Sequence, residues 1–360
     1  MSYTQGSLGP LDSMTERGRV SKDGAQARGS GGGSPQAHHN IAASALTFHV
    51  REGRGGRVAL RWRPRVGGVR AFSYASLDAA ASRFADGLRR EGVEPGETVA
   101  VLAGRIPELY VAVLGTLRAG CVVTVLFSSY GPHPVQRRLA RGRVRLLVTT
   151  GALFRSKVEE GLDDLPLLER VLLVEHPGAL AGDGASPDDG LVTSFSSWLA
   201  SGDPSFPDAA VEVGAPALLH FTSGTTGDPK GVVHVHEAVR MHRSTGREVL
   251  GLDEETRYWC TADPGWVTGM SYGILAPLAT GCTVFQDEED FSADRWHHNL
   301  VAEGIEVFYT SPTALRFLRL MDTTTGGRHL PALDGIFSVG EPLAPPEARW
   351  ARETRGGPVR

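Results

Sequence analysis

Apolar positions along the chain alternate between helical and strand spacing. In "FSYASLDAAASRFADGLRREG", Leu77, Ala80, Ala81, Phe84, Ala85 and Leu88 recur on one helical face. Ser73 stands as a candidate N-cap and Gly92 as a stop. "TVAVL" (98–102) follows as an unbroken apolar strand. "PELYVAVLGTLRAG" then predicts a helix opened by Pro107 and closed by Gly120. "CVVTVL" (121–126) and "VRLLVTT" (144–150) predict strands around a helix at "PHPVQRRLA". A further helix precedes the strand "RVLLVE" (170–175). A second series starts at "APALLHF" and continues through "CTVF" (282–285), "EVFYTSP" (306–312) and "GIFSVG" (335–340). Continuous apolar strands alternating with helices indicate parallel sheets covered on both faces, an α/β fold.

Residues 1–36 break this pattern. They are rich in Gly, Ser and charge, include "GSGGGS", and have no apolar period, which predicts a disordered leader. The ordered part is expected over 37–360. Its two expected subdomains, about 37–175 and 215–360, are joined by a Pro-, Gly- and Asp-rich connection.

Composition removes several alternatives. The 360 residues carry a formal charge of −4 and are 41% hydrophobic, which gives no broad electrostatic reason to bind nucleic acid or an acidic membrane. Cys121, Cys260 and Cys282 lie far apart with no CxxC, favouring a reduced, cytoplasmic protein. No apolar run is long enough to span a bilayer. Of 37 basic residues only Lys22, Lys157 and Lys230 are lysine, and Lys230 stands inside a glycine-rich motif.

That motif is "FTSGTTGDPKG", Phe221 to Gly231, set between the strand-like runs "LLHF" and "GVVHV". A strand-to-strand loop is not a Walker A loop. Gly224, Gly227 and Lys230 are also spaced three apart, where GxxxxGK[ST] puts the lysine directly after its second glycine. The Rossmann GxGxxG is missing too. The physics is shared nonetheless. Glycines let backbone N–H groups approach and surround an anion. Thr222, Ser223, Thr225 and Thr226 add hydroxyl donors, Lys230 adds charge, and Pro229 stiffens the approach to it. From Gly and Thr alone, a polar hairpin reads equally well.

The full order of hydroxyl, glycine, proline and lysine resembles the phosphate-binding motif of the adenylate-forming enzymes, the superfamily of acyl-CoA synthetases, adenylation domains and luciferases. "YWCTADPGWVTGMSYGILAPLATG" (258–281), "VFYTSPTALRFL" (307–318) and "SVGEPL" (338–343) look like the acetyl-CoA synthetase branch. "VAVLAGRIPELYVAVLGTLRAGCVVTVLFSSYGP" is similar to that branch as well. The likeness runs from about His39 to Arg360.

The resemblance implies stacked sheets flanked by helices, and ATP, Mg²⁺ and coenzyme A as ligands. It implies activation of acetate or another short-chain acid, propionate being the runner-up, to an acyl-adenylate that passes to the thiol of coenzyme A. Thr222, Ser223, Gly224, Thr225, Thr226, Gly227 and Lys230 would cradle the β- and γ-phosphates, with Lys230 as the catalytic cation. Gly340, Glu341 and Pro342 would meet adenine; by themselves they read as a turn after a strand. Trp266, Val267, Thr268 and Val339 would line the acyl and pantetheine pocket, although an indole such as Trp266 also suits a core. The family's Mg²⁺ carboxylate, ribose-binding Asp and small C-terminal domain have no counterpart up to Arg360. The expectation is an N-terminal portion with little activity alone; a non-catalytic nucleotide-binding remnant is the alternative.

His234, His236 and His242 have no Cys nearby and no HExxH, so they are not read as metal ligands. His297 and His298 are expected on a helix surface, and "DEEDF" (287–291) on a solvated face.

Overall fold

A computed structural model of the chain describes residues 40–180, 190–222, 228–324 and 333–355. The leader 1–36 lies outside them. Two sheets organise the described residues. The first has six strands and the second seven.

In chain order the strands are β1 (Val58–Arg63), β2 (Arg70–Ser73), β3 (Thr98–Leu102), β4 (Val122–Val125), β5 (Val144–Thr150), β6 (Arg170–Val174) and β7 (Val192–Ser194). β8 (Pro216–Thr222), β9 (Lys230–Val235), β10 (Arg257–Cys260), β11 (Thr283–Asp287), β12 (Val307–Thr310) and β13 (Gly335–Ser338) complete them. The first sheet runs in spatial order β13-β12-β10-β11-β1-β2 and the second β7-β6-β5-β3-β4-β8-β9. Only the edge strands β2 and β9 run antiparallel to their neighbours. The α/β expectation therefore holds.

Helices follow the strands much as the apolar spacing predicts. They are α1 (Tyr74–Arg90), α2 (Pro107–Arg118), α3 (Pro132–Arg141), α4 (Gly151–Lys157), α5 (Phe195–Ala200) and α6 (Ala238–Glu248). After them come α7 (Val267–Met270), α8 (Ala276–Thr280), α9 (Ala293–Ala302), α10 (Pro312–Thr324) and α11 (Pro345–Arg355). The Ser73 Oγ accepts from the Ser76 amide at 3.1 Å, so it caps α1 as expected.

The largest apolar cluster joins the two sheets. It contains Leu60, Trp62 and Val284 of the first, Val99, Val101 and Val123 of the second, and α1 and α2. α2 is buried along its whole length. Its ends make polar contacts as well: the Trp62 Nε1 donates to the Arg105 carbonyl at 3.0 Å, just ahead of the helix. At the other end Arg118, 2% exposed, donates to the Asp208 carboxylate at 2.9 Å, the Asp78 carbonyl at 2.8 Å and the Thr47 hydroxyl at 2.6 Å. It also pairs with the Asp78 carboxylate. One cation thus binds α1, α2, the helical segment 41–54 and the chain entering β8.

Three expectations change. The sheets do not divide at 175/215: β1 and β2 join strands of the second half, and β8 and β9 join those of the first. Leu60 pairs in register with Val284, more than two hundred residues on. Asp287 is not on a solvated face but 2% exposed, because Arg295 and Asn299 of α9 donate to its carboxylate, the Asn299 Nδ2 at 2.6 Å. The segment 176–214 also supplies β7 and α5 rather than connection alone. His298 is exposed and His297 half-buried on α9.

Candidate active site

The expected site residues of the first sheet follow the carboxyl ends of its strands, where open α/β sheets place ligands. In the first sheet β10, β12 and β13 are adjacent and parallel. β10 leads into the turn holding Trp266 and the first turn of α7 holding Val267 and Thr268. β12 leads into α10, and β13 into Val339, Gly340, Glu341 and Pro342. The Val339 amide donates back to the Thr310 carbonyl at 3.3 Å, and Thr261 and Thr310 join hydroxyls at 2.7 Å, so these strand ends are tied together.

In the second sheet β8 and β9 pair antiparallel, with Thr222 opposite Lys230. Thr222, the last residue of β8, and Lys230, the first of β9, thus stand across from each other. Ser223, Gly224, Thr225, Thr226 and Gly227 themselves lie outside the described residues. Thr222 and Lys230 are exposed, and the Thr222 hydroxyl donates to the Lys230 carbonyl at 3.5 Å. Among the described residues Lys230 has no ion-pair partner, whereas its neighbour Asp228 pairs with Arg137 of α3.

A line of rings connects the two strand-end regions. Trp266 packs on Phe127 at 5.7 Å between centroids and Phe127 on Tyr130 at 5.4 Å. The Arg138 guanidinium lies 4.3 Å above Tyr130 and 6.0 Å from Phe221, the residue before Thr222. Gly265 permits the contact: a Cβ there would sit 2.5 Å from the Phe127 backbone nitrogen. Lys157 donates to the Tyr130 carbonyl at 2.6 Å and fixes the same loop. The structure therefore brings Trp266 and the base of the hairpin to one rim. Sequence reasoning missed Phe127, Tyr130 and Arg138, although "LFSSYGP" lies inside the stretch that carries the resemblance.

Trp266 is 52% exposed and Val267 44%, so neither is core; Thr268 and Val339 are half-buried. The carboxyl of Asp263 is raised by burial and accepts from the Gly265 amide at 2.8 Å, which holds the turn before Trp266. Gly340 has φ +99° and nothing within 4 Å of an added Cβ, so its backbone is open to a ligand. The Glu341 carboxylate points back to the protein: its Oε1 accepts from the Thr313 amide at 2.8 Å and from the Thr313 hydroxyl.

The histidines are structural in their contacts. His236 is fully buried and its Nδ1 accepts from the Ile41 amide at 3.2 Å, which requires a neutral ring. Burial pushes His220, His236 and His242 down to about 4. The three thiols are buried and free, and burial drives them up, Cys260 to about 11. Among the described residues no group of three or more His, Cys, Asp or Glu side chains is placed to hold a metal ion.

An exposed ammonium, an exposed hydroxyl, an open glycine backbone and a half-exposed indole fit an anionic ligand with an aromatic part. The chain belongs to the family of AMP-binding enzymes, whose family model matches residues 47–360. It is 34% identical over 320 residues to an acetyl-coenzyme A synthetase of Bacillus subtilis, covering 87% of this chain and 53% of that protein. An acetyl-coenzyme A synthetase of Rubrobacter xylanophilus is 31% identical over 334 residues, with 88% and 51% covered. The crystal structure of a Brucella canis acyl-CoA synthetase superposes with a TM-score of 0.80 at 27% identity, over 91% of this chain and 57% of that one. The chain thus spans about half the length of these relatives. No helix among the described residues is long and apolar enough to cross a membrane.

Proposed function

We propose that the chain carries the nucleotide-handling part of an AMP-forming acid–CoA ligase acting on acetate or a similar short-chain acid, with propionate as the nearest alternative. The observation that carries this reading is the β8–β9 pair, which returns Lys230 to Thr222 across the glycine-rich loop with its ammonium uncommitted among the described residues. The names of the relatives support the substrate class.

In this reading ATP supplies an electrophilic α-phosphorus and a pyrophosphate leaving group. A short-chain carboxylate is already ionised at neutral pH, so its attack needs no general base. The difficulty is to bring one anion onto a polyanion, and aligned donors and cations relieve it. Lys230, the Thr222 hydroxyl and the loop from Ser223 to Gly227 would hold the β- and γ-phosphates. The open backbone at Gly340 to Pro342 would receive adenine. Trp266, Val267, Thr268 and Val339 would bound the acyl group and the incoming thiol of coenzyme A. Among the described residues no group of three or more His, Cys, Asp or Glu is placed to hold Mg²⁺. The soluble small molecules ATP, acid and coenzyme A are the partners of this reading, and the cytoplasm is its compartment.

Isothermal titration of the 360-residue chain with ATP tests it. Saturable binding is expected, with competition by AMP. No heat at millimolar ATP would contradict the reading.

A further inference from the structure

Glu341 sits in the segment assigned to adenine, yet its carboxylate is already engaged. Gly340 turns the chain with φ +99° two residues after β13, and Glu341 reaches the amino end of α10. There Oε1 accepts two bonds from Thr313, one from its amide at 2.8 Å and one from its hydroxyl. Pro312 opens α10 and has no N–H, and the Ala314 amide is satisfied by the Ser311 hydroxyl at 3.2 Å. The Thr313 amide is therefore the first-turn donor left over, and a residue 28 positions later satisfies it. The charge also suits the positive end of the helix. The Thr313 hydroxyl and amide, opposed by slight desolvation and helped by Arg316, hold the Glu341 carboxyl below the usual carboxylate range.

We infer that Thr313 and Glu341 form a clasp that fixes the backbone of Gly340 to Pro342 against α10, making both positioning residues for the nucleotide rather than contacts of it. The inference rests on the proposed function for its ligand, but its geometry stands apart from it. A free carboxylate beside a polyanion would repel it; one turned onto a helix terminus leaves only open backbone facing outward. The clasp also joins the ends of β12 and β13, so the nucleotide edge and α10 move as one piece.

A double-mutant cycle on the full chain, read by ATP calorimetry, tests this. Thr313→Val removes the hydroxyl donor and touches no ligand group in this account. It should weaken ATP binding about three- to tenfold, as should Glu341→Ala, given the usual net worth of a hydrogen bond. The double variant should be no worse than the weaker single. Glu341→Gln, which keeps the acceptor, should stay within about threefold of wild type. Wild-type affinity in Thr313→Val, or additive losses in the double variant, would overturn the clasp. Wild-type protein that binds no ATP would instead sink the proposed function. Hydrogen exchange then decides the clasp alone: the Thr313 amide should exchange about tenfold or more faster in Glu341→Ala than in wild type. Equal exchange would overturn it.

Discussion

The layer between the sheets and the rim at their strand ends use charge in opposite ways. Between the sheets, Arg118 is 2% exposed and committed to Thr47, Asp78, Ser82 and Asp208. Glu108, at the other end of the same helix, is 1% exposed and accepts from the Gly178 amide at 2.5 Å. At the rim, Lys230 is exposed with no ion-pair partner among the described residues, and Glu341 is turned onto a helix terminus. Arg118 ties interior segments together; Lys230 has no such protein partner among the described residues, which is what the proposed phosphate role requires. That division separates substitutions that damage the fold from those that damage only binding.

The largest effect is expected at Arg118. Arg118→Met leaves the Asp78 and Asp208 carboxylates without their cation in a buried setting, a loss of about 3–5 kcal/mol. Chemical denaturation should show it as a lower midpoint, and an unchanged midpoint would dissolve the contrast with the rim.

Glu108 sharpens the same contrast through pH. Burial, partly offset by the Gly178 amide, Arg70 and other donors, pushes its carboxyl up from 4.5 to about 7. The folded protein therefore holds a proton that the unfolded chain has already lost, and this contribution to stability falls as pH rises from about 4.5 to about 7. Glu108→Gln removes that dependence. Its stability relative to wild type should rise between pH 4.5 and pH 8 by on the order of 3 kcal/mol. A constant difference across that range would contradict the assignment.

Much of the fold is legible in the chain because its signals are local. The apolar period of α1, its Ser73 cap and the unbroken apolar runs of β3, β5 and β6 each need only their own neighbours in sequence. β1 and β2 are less visible. "VALRWR" carries two arginines, and its strand identity depends on β11, whose Val284 meets Leu60 across the sheet. Asp287 reads as part of an acidic surface run because its partners, Arg295 and Asn299, become relevant only when α9 folds back on β11. The spacing of four between them was the available signal.

The candidate site was legible as a motif and less so in arrangement. The motif from Phe221 to Gly231 reads as an anion loop through its own residues, and the structure adds that Thr222 and Lys230 are register partners of β8 and β9. The ring line through Phe127, Tyr130 and Arg138 could not be read, since it joins three segments by contacts between side chains. Glu341 illustrates the same limit: a motif places the residue, but only the structure shows which way its carboxylate turns.

Lys230 gives the smallest expected effect on the fold and the most direct test of what the rim is for. Lys230→Ala should leave unfolding stability within about 0.5 kcal/mol of wild type, as for exposed residues without partners. Calorimetry with ATP and with AMP, on wild type and Lys230→Ala, isolates the central claim that this ammonium serves the terminal phosphates. ATP affinity should fall by about tenfold or more while AMP affinity stays near the wild-type value. Equal losses for both nucleotides, or none for either, would contradict it.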